Sequence, residues 1–192
     1  MNRTAKLLLV GLLCLNIPPT YARSKKMKLY RSERLNFCLY IPADWRGPAD
    51  VRNHEGAAFG APFDPVSITI GVLSNQPRST ILQRPDAGSQ MATLDDYRGA
   101  TFKEWKADSR FTDLKQNVEE PTTLGGVPAL HTVLTYKRDG ERARYEAVFA
   151  LWHDTQYSIE YVAPRGLARR YEKTFEDAVR TFQFQCTENE QR

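Results

Sequence analysis

Cysteine and histidine are scarce, with three of each in 192 residues. The chain has no C-x-x-C pair, no H-E-x-x-H, no G-x-S-x-G and no phosphate-cradling glycine loop. It therefore lacks the local signatures of a thiol redox centre, a zinc protease, an α/β-hydrolase nucleophile and a P-loop enzyme. An excess of one charge is also missing: 27 Lys and Arg face 23 Asp and Glu. Such a balance gives no electrostatic reason to expect nucleic acid or an anionic surface as the partner of the whole chain. No apolar run reaches the roughly 20 residues needed to span a bilayer.

The longest apolar run is short and lies near the start. Arg3 and Lys6 precede Leu7 to Leu15, Pro18-Pro19 follow, and Thr20-Tyr21-Ala22 ends on a small residue. A basic start, a short apolar core and a small-residue exit predict a secretory signal peptide over residues 1–22, with one domain over 23–192. Cys14 as a lipid acceptor is the rival reading, although Gly11-Leu12-Leu13 is a poor match to the small residues that normally precede one. Loss of residues 1–22 removes two basic residues and no acidic one, which leaves 25 Lys and Arg against 23 Asp and Glu. The expected location is periplasmic or secreted, without stable membrane insertion once the signal is cleaved.

The mature chain keeps Cys38 and Cys186. In an oxidising compartment two cysteines most simply form one disulfide. Two separate buried thiols remain open, since free cysteine packs well in a core. A nucleophilic Cys38 would need a base beside it, and no local motif supplies one.

Element signals favour strands. Lys28–Glu33 and Leu35–Ile41 predict a hairpin, and the β-branched stretch Val66–Ser74 predicts a buried strand. Residues 43–65 and 75–93, rich in Gly, Pro and Ala or carrying Pro77 and Pro85, read as long loops. Thr93 with Asp96 suggests an N-cap, followed at helical spacing by Leu94, Tyr97, Thr101 and Trp105, to an end near Asp108. A polar edge strand from Leu114 to Pro121 comes next. Val127–Lys137 and Arg142–Trp152 then flank Asp139-Gly140, a strong hairpin signal. Gln156–Ala163 is a further strand. A helix over 167–180 shows an apolar stripe of Tyr171, Phe175 and Ala178, and Phe182–Cys186 alternates as a short final strand. The meander strands are apolar on both faces, so the expected class is α+β: a single antiparallel sheet covered by helices on both sides, an α/β/α sandwich.

Ile41-Pro42-Ala43-Asp44-Trp45, the helix start Leu94-Asp95-Asp96-Tyr97, Gly125-Gly126-Val127-Pro128-Ala129 and the closing Phe182-Gln183-Phe184 occur in an order and spacing that resembles the PsbP-like superfamily, including DcrB-like bacterial envelope proteins. The resemblance spans nearly the whole mature chain. It implies the α/β/α sandwich and a non-enzymatic binding or assembly role, with no cofactor and no shared catalytic residues to carry over.

Candidate contacts with a protein partner are Arg138, Arg142 and Arg144, which otherwise belong to a solvated mixed face, and Trp45, which otherwise plugs one end of the sandwich. His54, with Asp50 and Asp64 in the same long loop, is the one clustering of ligand types that suits a metal. His131 reads as a partly buried packing residue, and His153-Asp154 as a turn. The leading expectation is an exported, non-catalytic binding or accessory protein of the cell envelope with a protein partner. The alternative is a metal-dependent or hydrolytic envelope enzyme using the 43–65 loop.

Overall fold

The computed structural model describes residues 26–51, 55–74, 94, 99, 102–103, 105–153 and 155–186. The expected leader (1–22), His54, the Thr93 cap with Asp96, and Asp154 lie outside them.

Four strands form an antiparallel meander: β6 (Phe111–Leu124), β7 (Val127–Arg138), β8 (Glu141–Trp152) and β9 (Thr155–Pro164). Two tight turns set its register. Asp139 and Gly140 both take positive φ, at 52° and 85°, as a two-residue hairpin turn of this kind requires. Gly125 and Gly126 do the same at 56° and 84°. Arg138 then faces Glu141, and Leu124 faces Val127. The polar strand β6 is an edge strand, as its alternation predicts, and it carries Pro121 and two register shifts. Proline and bulges suit an edge because they discourage a further strand from pairing there.

The sheet continues from β9 to β5 (Ser67–Ser74), β4 (Glu55–Gly60) and β3 (Arg46–Ala49), giving the order β3-β4-β5-β9-β8-β7-β6. β3 and β4 fall where the composition predicts only loop. Their Gly and Ala content gives weak strand propensity, yet Ala57 and Phe59 are buried and β4 pairs with β5 along its whole length. Gly56 marks a close backbone approach: a Cβ there would stand 2.1 Å from the Ile70 carbonyl oxygen. What reads as loop composition is a strand whose Gly56 leaves no room for a side chain.

The expected single sheet with helices on both faces is not what forms. The molecule is mostly strand, and a second sheet of order β1-β2-β10 lies in the fold: β1 (Met27–Ser32), β2 (Phe37–Pro42) and β10 (Gln183–Phe184). Phe37, Leu39 and Ile41 of β2 share one core with Ile68 and Ile70 of β5, Ile159 and Tyr161 of β9, and Tyr171, Phe175 and Ala178 of the helix α2 (Arg165–Thr181). Residues 94, 99, 102–103 and 105–107 are helical, termed α1 here. Leu94, Phe102 and Trp105 pack on the other face against Leu130, Leu134, Tyr136, Tyr145 and Phe149.

Width explains the correction. Seven strands at about 4.8 Å spacing make a face of roughly 29 Å, and one helix covers about 10 Å of it. The apolar stripe of α2 is too narrow to dry that face, so the N-terminal hairpin and the C-terminal strand supply the remaining cover. Gly125 shows how tightly they close: a Cβ there would lie 2.6 Å from the Phe184 ring. Phe184 in turn stacks on Trp152 at 4.9 Å.

Cys38 and Cys186 are bonded, with Cα atoms 5.9 Å apart and 148 residues between them in sequence. Cys38 is buried at 3% exposure. In the loop-entropy account, closing a loop of that length restricts the unfolded chain by roughly 5 kcal/mol. Replacing both cysteines with serine should lower unfolding free energy by about 3–5 kcal/mol, read as a reduced guanidinium midpoint. A midpoint equal to that of wild type would show that the bond contributes nothing to the fold.

Candidate functional site

The face of the sheet that α2 only partly covers carries an array of ionised side chains. Odd-numbered residues of β7 and even-numbered residues of β8 point there. The register sets His131 opposite Glu120 on one side and opposite Val148 on the other, with Glu146 on the diagonal. His131 Nδ1 lies 3.1 Å from Glu120 Oε1, and Nε2 lies 3.0 Å from Glu146 Oε1. Arg144 donates from Nε and Nη2 to Glu146 Oε2 at 3.0 and 2.8 Å. The same Nη2 donates to Glu172 Oε1 on α2 at 3.0 Å. The array thus runs Glu120–His131–Glu146–Arg144–Glu172 and joins three strands to the helix.

Glu146 is its centre, with a side chain only 7% exposed. Burial alone would raise its carboxyl, but the hydrogen bonds from His131 and Arg144 outweigh that and hold it below the ordinary glutamate value. The Glu146 carboxylate raises the His131 imidazole above its usual value, with help from Glu120 and against partial burial. A carboxylate at each ring nitrogen asks both nitrogens to donate, which only the protonated ring can do. Three carboxylates and two cations leave the array with one negative charge. The array can take up and release a proton at His131. Among the described residues both ring nitrogens face carboxylates.

The sequence-predicted contacts fare unevenly. Trp45 is not on the surface: it is 2% exposed and meets Tyr171 edge to face at 5.9 Å. It plugs the end of the sandwich because Pro42 turns the chain inward, with Trp45 N donating to Pro42 O. Arg144 is not a free cation, since Glu146 and Glu172 hold its guanidinium. Arg142 is exposed, and Arg138 is half exposed with its guanidinium 5.7 Å from the Phe111 ring centre.

Of the metal candidates, His54 lies outside the described residues. Asp50 is exposed, and Asp64 accepts from Tyr171 Oη and, at 3.3 Å, from Arg170 Nη1. Among the described residues no group of three or more His, Cys, Asp or Glu is placed to hold a metal. His131 is not a simple packing residue: Glu120 and Glu146, the latter interleaved with the arginines of the mixed charged face, hold its two ring nitrogens. The two turns held the signal: Gly125-Gly126 and Asp139-Gly140 already fix which residues face His131.

Asp64 serves instead as a strap. It lies in the turn 61–66 between β4 and β5, where Ala61 N bonds Val66 O at 2.9 Å and Val66 N bonds Asp64 O at 2.8 Å. Arg46 Nη2 donates to Ala61 O at 2.9 Å from β3. Phe63, at the tip of this braced turn, is 95% exposed.

No family model matches the sequence, and no curated protein does. Solved structures do match. Cyanobacterial PsbP (CyanoP) from Synechocystis sp. PCC 6803 superposes with a TM-score of 0.61 at 10% identity, covering 94% of this chain and 98% of that one. LpqN, involved in cell envelope biogenesis of Mycobacterium tuberculosis, gives 0.54 at 13% identity, covering 86% of this chain and 88% of that one. The fold is PsbP-like.

Breaking the array should be expensive. Glu146→Ala leaves His131 and Arg144 facing a half-buried gap, and a loss of about 3 kcal/mol is expected, measured by urea unfolding. The pH dependence follows from the two shifts. His131, raised in the fold, stabilises fully below its unfolded value and loses that contribution as pH rises through the higher folded value. Glu146, lowered in the fold, stabilises above its unfolded value and loses that contribution as pH falls through the folded one. Urea midpoints taken across neutral pH should decline on the alkaline side in wild type and much less in His131→Gln. Parallel profiles for the two proteins would rule out His131 as the titrating group.

Proposed function

We propose that this chain is an exported, non-catalytic binding or accessory module of the cell envelope, formed by one domain after a cleaved leader. The observation that carries the reading is the bond between Cys38 and Cys186. Disulfides of this kind persist in oxidising compartments and are rare where thiols are kept reduced. The basic, apolar and small-residue succession of residues 1–22 supports the same location.

The binding role draws on the chemistry of the array and on the fold. Glu146, the most buried ionised carboxylate described, is committed to His131 and Arg144 as a structural centre. LpqN, which shares the fold, is described as involved in cell envelope biogenesis. A protein partner in the envelope is the corresponding expectation, with Arg138 and Arg142 as exposed contacts.

Expression of the full chain in a bacterial host, followed by intact-mass analysis of the envelope fraction, tests the proposal. The expected product begins near residue 23 and has both thiols unreactive to alkylation until reductant is added. A cytoplasmic product that retains Met1 and alkylates without reductant would refute it.

A further inference from the structure

The geometry points to a peripheral membrane contact: Phe63, on a turn braced by Arg46 and Arg170, docks this domain on an anionic phospholipid surface. This rests on the envelope location proposed above and names the surface the module binds.

Among the described residues Phe63 is the one large hydrophobic side chain that is exposed. It is presented rigidly. Pro62 and Pro65 restrict the turn, two backbone hydrogen bonds close it, Arg46 braces it at Ala61, and Arg170 with Tyr171 straps it at Asp64. An aromatic ring held fully in water at the tip of so constrained a turn loses little conformational freedom when it is buried elsewhere.

Its surroundings choose the partner. Arg46 and Arg170 flank the turn directly. Lys28 donates to Trp45 O at 3.2 Å, and Lys26 O accepts from Ala43 N at 2.8 Å, which brings both lysines to the Trp45 end beside Arg46. Asp44 is the exposed acid at this pole, while Asp64 is engaged by Arg170 and Tyr171. A protein interface centres on a packed cluster of apolar residues within roughly 800 Å² per partner, and a lone ring among cations does not provide one. An apolar anchor with Arg46 and Arg170 on its turn and Lys28 at the adjoining Trp45 end suits the boundary between acyl chains and anionic headgroups. The near-zero charge balance of the whole chain conceals the local excess.

Flotation of the purified mature protein with phosphatidylglycerol–phosphatidylcholine vesicles, and with phosphatidylcholine vesicles alone, decides the matter. Wild type should bind the anionic vesicles, release at high salt, and bind neutral vesicles poorly. Phe63→Ala should weaken partitioning about tenfold, and Lys26→Glu about fivefold or more. Both positions are exposed, so unchanged circular dichroism is expected. Phe63→Trp should keep the binding, and its difference fluorescence against wild type should shift to the blue on vesicle addition. Absence of binding to anionic vesicles, or equal binding by wild type and Phe63→Ala, would overturn the proposal. So would a photo-crosslinker at position 63 that captures an envelope protein while vesicles go unbound. Export itself is read separately, from the mature N-terminus and the thiols.

Discussion

The short pairing of β10 with β2 holds this architecture together. Gln183 faces Cys38, Phe184 faces Phe37, and Gln185 N donates to Asn36 O at 3.1 Å. Two residues of ladder would be a weak join alone, but the disulfide covers the same seam. Phe182 stacks on Phe37 at 5.6 Å, and Tyr157 meets Phe184 edge to face at 5.0 Å and donates from its hydroxyl to Leu35 O. The last element of the chain thereby fixes the first against the large sheet. Beyond that join, the N-terminal hairpin is tied by apolar contact and by a few polar ones, such as Tyr40 N donating to Thr181 Oγ1 of α2 at 3.1 Å.

The two faces of the large sheet are built differently. Beneath α1 the contacts are aromatic: Trp105 lies 4.9 Å from Phe111 and 4.7 Å from Tyr145. The opposite face divides into a dry region under α2 and the small sheet, and a charged region beyond the helix. Buried Tyr161 marks the boundary; burial drives its phenol well above the ordinary value, and its hydroxyl donates to Ala168 O at 2.9 Å. Past it the array reaches water, from Glu146 inside to Glu120 outside. Beside Glu172 on the same helix, Arg170 and Tyr171 hold Asp64, and Arg46 braces the same exposed turn at the Ala61 carbonyl.

Much of this was legible before the coordinates. The meander, its turns, the closing helix and the edge character of β6 follow from alternation, Asp-Gly and Gly-Gly signals, and the stripe at Tyr171, Phe175 and Ala178. Propensity points the wrong way at β3 and β4, where close backbone approach requires glycine at Gly47 and Gly56 and the composition reads as loop. The second sheet was missed because a strand's own pattern does not say which sheet it joins. Phe37, Leu39 and Ile41 would alternate identically in either place. The charged array was recoverable in principle, since hairpin arithmetic brings Glu120, His131 and Glu146 together. Phe63 carried no signal, because exposure of one aromatic in a Pro-rich turn depends on how its neighbours are braced.

The array also acts as a key for strand alignment. A one-position slip of β8 would swing Glu146 through the sheet into the face lined by Leu130, Leu134 and Tyr136. A carboxylate stranded there would lose His131 and Arg144 together, with a desolvation penalty of several kcal/mol. Apolar residues on both faces of β8 tolerate such a shift, so the ions reinforce the alignment that the two turns set.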